Sequence, residues 1–532
     1  MTASEVFVRK ASGLVKEVGL FSGIGMNIST GATVGVPFLA VPYFFWYATG
    51  GNFFLAVLIA TVGAMAVSSV YAHFSAAMPR SGGDYIFLGR TIHPLLGFVV
   101  NWIMAALFVF WIPFTFLWQI DISKQIAFVI GPSAYSAWSN VMQDNFLVFL
   151  FLAVQTVLAF LIAIPGMRVF ARIQRVIWVL ALVAAGMVVV GYVYATPSFS
   201  SIFNTWSLQY VPTEPDMYNK IISDATAAGF SFSTHEGPMM EQTLTFAALW
   251  FSYIAPYTVA TSYIAGEVKS AESGVRQHIL TETAVIFQNF MMVLLGWTYL
   301  NMVGLKFLSA LGYLGSVEGL PLSVFGWWTM VVTLPKWAAL YWFICLFLSM
   351  FLATLSYIPV ASRCIFAWSF DRLLPTRLAH VSDRWKTPTY VLGALFIMCL
   401  IFLYAAIYVN LWAYIAAVGL WTLINLMIIC VAGIVFPYLR KDMYEQMPLK
   451  QKIGGIPLLS LISLTGLIIA VVTTTSYFTN PPFAATLGVS PVTIGSSIIV
   501  YALPITIFFV ARAYWKRKGI DLEMAFRQIP PA

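Results

Sequence analysis

Two interrupted hydrophobic stretches carry the residues that could hold a small polar solute inside a membrane. The first reads Ile-Gly-Met-Asn-Ile-Ser-Thr-Gly-Ala-Thr-Val-Gly-Val-Pro and contains Ser29, Thr30, Gly31, Ala32 and Thr33. Glycine costs a helix interior about 1 kcal/mol relative to alanine, and Ser, Thr and Asn offer the backbone competing hydrogen bonds. Irregular backbone at membrane depth is tolerated only where it is buried in protein or lines a cavity. We therefore predict a helix break here, with free N–H groups at residues 30–33 that can bind an anionic group.

The second interrupted stretch surrounds a proline in the sequence Trp-Phe-Ser-Tyr-Ile-Ala-Pro-Tyr-Thr. Proline has no N–H to donate, and its ring clashes with the carbonyl four residues earlier. Carbonyls released in this way carry partial negative charge and attract a cation such as an ammonium group. Both stretches together would bind a zwitterion without a buried formal charge, which is expensive inside a membrane. The predicted binding residues of the second stretch are Ser252, Tyr253, Ile254, Ala255, Pro256 and Tyr257.

Each stretch also has a purely structural explanation. Gly19 and Gly23, and likewise Gly31 and Gly35, have the GxxxG spacing that lets membrane helices pack closely. Pro256 alone could simply kink a continuous helix. Interruptions at matching positions of two membrane segments are nevertheless the best sequence indication of a binding site near the bilayer midplane.

Other residues could close the site or bind a coupling ion. Trp102, Trp111 and Trp250 are candidate gates over the solute, although aromatic residues in such positions more often pack helices together. Ser349 and Thr354 are candidate ligands for Na⁺, a hard cation that takes oxygen ligands. Hydrogen bonding of these two hydroxyls to their own helix is the simpler alternative.

The sequence contains no recognisable catalytic constellation. Its five histidines are scattered, and a His-Glu-x-x-His zinc motif, a P-loop and a Gly-x-Ser-x-Gly turn are all missing. We therefore expect that the protein is not an enzyme and has no cofactor or metal. The four cysteines stand in apolar stretches without CxxC spacing, as is typical of small buried hydrophobic residues.

Composition places these stretches in a membrane. The chain has 532 residues, of which 60% are hydrophobic and 9% charged, and its mean hydropathy is +0.86. Apolar runs of about 20 residues, the length needed to cross a bilayer core, recur along it. We predict an all-α polytopic membrane protein with twelve transmembrane helices. These spans are residues 14–42, 52–76, 95–120, 144–164, 174–195, 245–267, 279–303, 336–367, 389–408, 411–436, 456–478 and 493–514.

Basic residues fix the predicted orientation. Of the 28 Lys and Arg residues, only Lys124, Lys220, Lys306 and Lys336 fall at or beyond the outer ends of the spans. Cytoplasmic loops of membrane proteins carry an excess of Lys and Arg. We therefore expect both termini in the cytoplasm and the protein in the plasma membrane. The net charge of +8 is explained by this topology, and we expect no nucleic-acid partner.

Ten of the spans can be grouped as five plus five, which pairs span 1 with span 6. The predicted division is a cytoplasmic N-terminus at 1–13, a first five-helix repeat at 14–195, an extracellular loop at 196–244, a second repeat at 245–436, a cytoplasmic loop at 437–455, helices 11 and 12 at 456–514, and a cytoplasmic C-terminus at 515–532.

Several inner segments resemble motifs of the amino acid–polyamine–organocation (APC) superfamily. Residues 71–85 resemble its Tyr…Met-Pro-x-Ser-Gly-Gly-x-Tyr signature, and residues 266–269 resemble its Glu-Val-Lys ending. Residues 362–375, with Arg363 and Asp371, and then Thr-Pro at 387–388, resemble its Arg…Asp-x-x-x-Pro…Thr-Pro loop. Together these motifs cover roughly residues 14–460 in the expected order.

The chain also departs from the family pattern. His73 stands where the family usually carries Glu, Ser270 follows Glu-Val-Lys where Pro is usual, and Ser-Thr-Gly-Ala replaces Gly-Ser-Gly in span 1. Some proton-coupled relatives place a Lys in span 5, but residues 179–186 are apolar here. His73 and Glu282 could titrate, although solvation at the inner interface is the simpler account of both. The coupling ion, H⁺ or Na⁺, therefore stays open.

The resemblance implies a five-plus-five inverted repeat with discontinuous helices 1 and 6, two additional C-terminal helices, and alternating access. It also implies amino acids or related amines as substrates. We predict a secondary active transporter of amino acids, working by symport or exchange, with a small-molecule substrate and the lipid bilayer as its partners. The alternative is a transporter-like membrane sensor or receptor that binds an amino acid without turnover.

Overall fold

Uninterrupted apolar helices account for most of the structure. A computed structural model describes residues 13–31, 35, 36, 40, 41, 50–231, 239–322, 326–409, 415–447, 449–479, 491–520, 522 and 526. Within these residues, ten helices are long and apolar enough to cross a membrane. They coincide with predicted spans 2–5 and 7–12, which confirms the prediction of an all-α polytopic membrane protein.

The α-helices are, in chain order, α1 Leu20–Thr30, α2 Phe53–Ala77, α3 Asp84–Thr91, α4 Pro94–Ile130, α5 Pro132–Val141, α6 Asn145–Ala163, α7 Met167–Ala195, α8 Phe199–Ser207, α9 Met217–Ala227, α10 Met239–Tyr257, α11 Ala260–Tyr263, α12 Gly274–Val303, α13 Leu305–Leu314, α14 Trp328–Thr333, α15 Lys336–Phe370, α16 Thr389–Tyr408, α17 Ile415–Leu439, α18 Lys441–Tyr444, α19 Leu458–Thr479 and α20 Pro491–Arg517. A short antiparallel hairpin, β1 Lys452–Ile453 and β2 Ile456–Pro457, precedes α19.

Both stretches predicted to interrupt a helix do so. Helix α1 has 11 residues and ends at Thr30. At 1.5 Å per residue it spans about 16 Å, roughly half of a bilayer core. Helix α10 ends one residue after Pro256, and a turn at Thr258 and Val259 separates it from α11.

Most predicted span boundaries agree with the helices to within a few residues, and span 3 shows the largest difference. Its predicted end was residue 120, but α4 continues to Ile130. The helix ends where Gly131 adopts a φ of 157° and is followed by Pro132, the first residue of α5. The polar residues near position 120 do not end the helix. The helix ends about ten residues later, because Gly131 and Pro132 do not fit a continuing α-helix.

The interrupted helices lie inside a bundle of continuous ones. Helix α1 packs against α7, α12 and α15, and α10 packs against α2, α12 and α19. Helices α4 and α15 run along each other and form the most extensive helix pair. The backbone irregularities are therefore surrounded by protein, as membrane-depth irregularities must be.

The glycines of α1 also serve packing. A Cβ atom on Gly25 would lie 1.9 Å from Gln174 Nε2, and one on Gly23 would lie 2.6 Å from Leu280 Cδ2. Such distances are shorter than any real contact, so a side chain at either position would force the end of the Gln174 or Leu280 side chain to shift. The small-residue packing explanation of this stretch therefore holds alongside the helix break.

Candidate functional site

The two interruptions are joined by a hydrogen bond. The Tyr253 hydroxyl in α10 donates to the backbone carbonyl of Gly31, directly after α1, at 2.8 Å. Trp250 stacks on Tyr253 with ring centroids 5.6 Å apart, and its Nε1 donates to Asn289 Oδ1 of α12 at 2.8 Å. Tyr253, a predicted binding residue of the second stretch, thus contacts the backbone of the first stretch.

The end of α1 is held by its own residues and by α12. Thr30 Oγ1 donates to the Met26 carbonyl at 2.6 Å, and the Gly31 N–H donates to the Ile28 carbonyl at 3.1 Å. Gln288 Nε2 from α12 donates to the same Ile28 carbonyl at 2.8 Å. The Thr30 hydroxyl and the Gly31 amide are therefore occupied. The predicted binding residues Ala32 and Thr33 lie outside the described residues, so the prediction of free amides at these two positions stays a prediction.

One hydroxyl beside the break has no partner. Ser29 is 3% exposed, and its Oγ forms no hydrogen bond with any described residue. A buried hydroxyl left unsatisfied costs roughly 1–3 kcal/mol. Such a group next to an irregular segment is suited to a polar solute or a water molecule.

Asn27 connects the inner parts of both interrupted helices. Its Nδ2 donates to Thr261 Oγ1 of α11 at 3.0 Å and to the Leu280 carbonyl of α12 at 2.9 Å. Its Oδ1 accepts from the Thr261 N–H at 2.8 Å. From the sequence, Asn27 is recognisable only as a residue that weakens a helix, because its hydrogen-bond partners lie more than 230 positions away.

The second stretch presents fewer free carbonyls than predicted. The Ile254 carbonyl accepts from the Thr258 N–H at 3.2 Å and from Thr258 Oγ1 at 3.0 Å, and Ala255 accepts from the same hydroxyl at 3.3 Å. The Ser252 hydroxyl donates to the Leu249 carbonyl at 2.9 Å. Pro256 has no N–H to offer the Ser252 carbonyl, which is therefore the strongest cation-binding group here.

An aromatic cluster borders the second stretch. Tyr253 and Tyr257 have ring centroids 4.9 Å apart, and Tyr257 lies 5.8 Å from both Phe108 and Tyr357. All of these side chains except Tyr253 are almost fully buried. The cluster begins one residue after Ser252 in the chain, and its aromatic faces are groups that attract an ammonium ion.

The candidate gates occupy different places. Trp250 belongs to the break through its stacking on Tyr253. Trp111 is buried beside Trp118, with ring centroids 5.5 Å apart. Trp102 instead stacks on Trp368 near the inner ends of α4 and α15. Trp250 therefore contacts Tyr253 and Trp111 interacts with Tyr257, both in the second interrupted stretch, whereas Trp102 packs on Trp368.

The two candidate cation ligands lie on one helix. Ser349 and Thr354 are both buried in α15, and Thr354 Oγ1 forms no hydrogen bond within the described part of the chain. Five residues of α-helix separate side chains by about 140° around the axis. The alternative of bonding to the helix backbone is realised nearby, because Ser356 Oγ donates to the Leu352 carbonyl at 2.9 Å.

The segments that resemble family motifs, far apart in sequence, meet in one buried network. Arg363 Nε and Nη2 donate to the two carboxylate oxygens of Glu267 at 2.7 and 2.9 Å. Both side chains are less than 5% exposed. The Glu267 carbonyl accepts from the backbone N–H groups of Glu17 and Val18, each at 2.9 Å. Glu267 thus joins the segment before α1 to helix α15 through its backbone carbonyl and its carboxylate.

A second part of this network is centred on two aspartates. Asp371 accepts from the Tyr85 hydroxyl at 2.8 Å and from Arg90 Nη2 at 2.6 Å. Asp84 accepts from the Tyr263 hydroxyl at 2.5 Å. Asp84 is fully buried, and this loss of hydration raises the pKa of its carboxyl group to about 6.

These features define a class of protein, namely a polytopic helical membrane protein whose polar backbone breaks lie inside the bundle. The family model described as amino acid permease matches residues 19–511. The chain therefore belongs to the amino acid permease family of the APC superfamily, as its motifs indicated. It is a membrane transporter of amino acids in the general sense of that family, and it is not an enzyme.

Proposed function

We propose that this permease moves amino acids across the membrane by alternating access. The substrate binds between the end of α1 and the end of α10, and transport proceeds by symport or exchange. The observation that carries this proposal is the hydrogen bond from Tyr253 to the Gly31 carbonyl, which brings the two interruptions together.

Each end of a zwitterion has candidate partners. The Ser252 carbonyl and the neighbouring aromatic faces suit the ammonium group. The Ser29 hydroxyl and the amides of Ala32 and Thr33 suit the carboxylate. The described residues at this place carry no formal charge, which favours neutral amino acids.

In this proposal the buried Arg363–Glu267 ion pair holds the inner side closed. Breaking a buried, two-point ion pair such as Arg363–Glu267 requires compensating interactions or water. In the proposed cycle this pair separates when the substrate is released to the cytoplasm. Twelve spans in a five-plus-five repeat, with both termini in the cytoplasm, give the two halves the symmetry that alternating access uses.

Uptake into proteoliposomes tests the proposal. The purified protein should accumulate labelled amino acids from a mixture, and repeats with and without H⁺ and Na⁺ gradients identify the coupling ion. A membrane sensor would instead show saturable binding without accumulation, which would overturn the transport proposal. Unchanged uptake in Na⁺-free medium would remove the cation site at Ser349 and Thr354.

Tyr253→Phe tests the placement of the site. It keeps the stacking on Trp250 but removes the hydroxyl, and a lost neutral hydrogen bond of about 1 kcal/mol should change substrate affinity roughly fivefold. Tyr404→Phe, on the exposed face of α16, is the matched control and should leave affinity unchanged. Equal affinities in both variants would show that the site lies elsewhere.

A further inference from the structure

Three titratable side chains form a hydrogen-bonded chain between α2 and α12. His73 Nδ1 of α2 lies 2.7 Å from the Ser69 carbonyl and 3.2 Å from His278 Nε2 of α12. His278 Nδ1 lies 2.7 Å from Glu282 Oε1, and the Ser69 hydroxyl donates to the same oxygen at 2.5 Å. We call these four residues the histidine chain.

The partners determine where the hydrogens stand. A carbonyl oxygen only accepts, so His73 Nδ1 carries a hydrogen, which is donated mainly to the Ser69 carbonyl at 2.7 Å and is shared with the more distant His278 Nε2 at 3.2 Å. His278 Nε2 must then be unprotonated to accept it. The remaining hydrogen of neutral His278 is on Nδ1, where it donates to the Glu282 carboxylate. Every hydrogen bond of the histidine chain has one donor and one acceptor when both histidines are neutral.

A proton added to His278 has only one place to bind, namely Nε2. The new N–H would point at the N–H of His73, so the contact between α2 and α12 would change from attraction to repulsion. The bond from His278 Nδ1 to Glu282 would become stronger, because both of its partners would then be charged. Protonation therefore separates the two helices at this point while keeping His278 beside Glu282.

The histidine chain lies where cytoplasmic protons can reach it. His73 is one turn from the inner end of α2, and His278 is one turn from the inner end of α12. The side chains of His278 and Glu282 are 21% and 25% exposed. The charges acting on His73 come from His278 and Glu282, and those acting on Glu282 come from the two histidines. Arg276 is two residues from His278, about 200° around α12.

Helix α12 connects this chain to the candidate substrate site. Its Leu280 carbonyl accepts from Asn27, and its Gln288 donates to the Ile28 carbonyl at the end of α1. Its Asn289 accepts from Trp250. A displacement of α12 away from α2 would therefore act on both interrupted helices.

We propose that His278 is a proton-binding residue whose protonation releases α12 from His73 and promotes opening of the inner side. This inference rests on the proposed transport function and adds a proton-responsive contact to it. The proton comes from the cytoplasm, is bound at His278 Nε2 and leaves by the same route when the inner side closes again.

Exchange of labelled for unlabelled amino acid, at the same pH on both sides of the liposome membrane, tests this contact. The wild-type rate should rise on the order of threefold to tenfold between about pH 7.5 and about pH 5.5, because added protons would disrupt the contact between position 73 and position 278. His278→Gln can still accept from position 73 and donate to Glu282, so its rate should stay at the slow alkaline level. His73→Leu removes the contact, and its rate should stay at the fast acidic level.

A proton-responsive contact predicts opposite changes in the exchange rates of the two variants, slow in His278→Gln and fast in His73→Leu. A purely structural role of these residues would slow exchange in both variants. His380→Gln, on an exposed inner loop, is the matched control and should keep the wild-type profile. Glu282→Gln replaces the carboxylate that accepts from His278 Nδ1 and should change the pH dependence of the exchange rate. This measurement decides the question if His73→Leu does not fold.

A wild-type rate independent of pH, or an unchanged profile in His278→Gln, would overturn the inference while leaving the transport function intact. The same holds if Asp84→Asn, and not His278→Gln, removes the pH dependence. Absence of any exchange under all conditions would instead count against the proposed function itself.

Discussion

Arg363 in α15 and Glu267 after α11 form a two-point ion pair that is buried on all sides and joins segments 96 residues apart in sequence. Removing one partner of such a pair leaves an uncompensated buried charge, which typically costs about 3–5 kcal/mol. We therefore expect both Arg363→Ala and Glu267→Gln to destabilise the protein. Glu267→Gln leaves the Arg363 charge unpaired but keeps a hydrogen-bond acceptor beside it, so this variant should also loosen the inner side.

Cys364, directly after Arg363 and fully buried, reports on that loosening. A membrane-impermeant thiol reagent applied from the inner side should modify Cys364 faster in Glu267→Gln than in the wild type. The same variants with Cys364 replaced by Ala provide the control for labelling elsewhere. Equal labelling rates would mean that the ion pair does not hold the inner side closed.

Ser29→Ala should separate stability from binding. Removing a buried hydroxyl that has no partner among the described residues should stabilise the substrate-free protein by roughly 1 kcal/mol. If the hydroxyl binds substrate, affinity should fall at the same time. Thermal unfolding in detergent and a binding isotherm measure the two effects. Ser356→Ala, whose hydroxyl is bonded to Leu352, should show no gain in stability.

Gly31→Ala tests the packing around the end of α1. Its Cβ would lie 2.5 Å from Gln288 Nε2, so Gln288 would have to leave the Ile28 carbonyl. We expect a loss of stability of about 1–3 kcal/mol and weaker substrate binding. Gly186→Ala, in α7 with open space around the position, should be neutral or stabilising because alanine favours helix. A stable, fully active Gly31→Ala would contradict the close contact with Gln288.

The buried carboxyl group of Asp84 makes stability depend on pH in a defined direction. Its pKa lies near 6 in the folded protein, whereas an unfolded aspartate titrates near 3.8. The folded state therefore binds the proton more tightly, and its stability should fall as pH rises from about 4 to about 6, by roughly 3 kcal/mol at most. In Asp84→Asn this slope should disappear.

Thermal unfolding in detergent across that pH range checks the slope. Asp383→Asn, on an exposed inner loop, provides the comparison and should retain the wild-type pH dependence. A parallel pH dependence in the wild type and Asp84→Asn would show that another group is responsible.

The sequence predicted most strongly those features that arise from local chemistry. Pro256 indicated a break because a proline ring excludes a helical hydrogen bond, and the helix indeed ends one residue later. The amides of Thr30 and Gly31 were predicted to be free. In the structure Thr30 is still part of helix α1, and the Gly31 N–H donates to the Ile28 carbonyl. Small residues weaken a helix, but the position at which it ends depends on what caps its last carbonyls.

Tertiary partners were largely hidden from the sequence. The pairing of Tyr253 with Gly31, of Gln288 with Ile28 and of His73 with His278 joins residues that are more than 200 positions apart. Glu267 was expected to meet a basic residue, because a buried acid needs one, but nothing local selects Arg363 from the other inner arginines. Such choices are made by how the helices pack together.

The 30-residue length of α12 gives it a mechanical property. At 1.5 Å per residue it is a rod of about 45 Å, and a tilt of about 5° displaces one end relative to the other by about 4 Å. Leu280, Gln288 and Asn289 lie along the first two thirds of this rod, above the histidines. In the proposed mechanism helix α12 would act as a lever, in which an ångström-scale displacement at the end that carries His278 changes the hydrogen bonds to Asn27, Ile28 and Trp250.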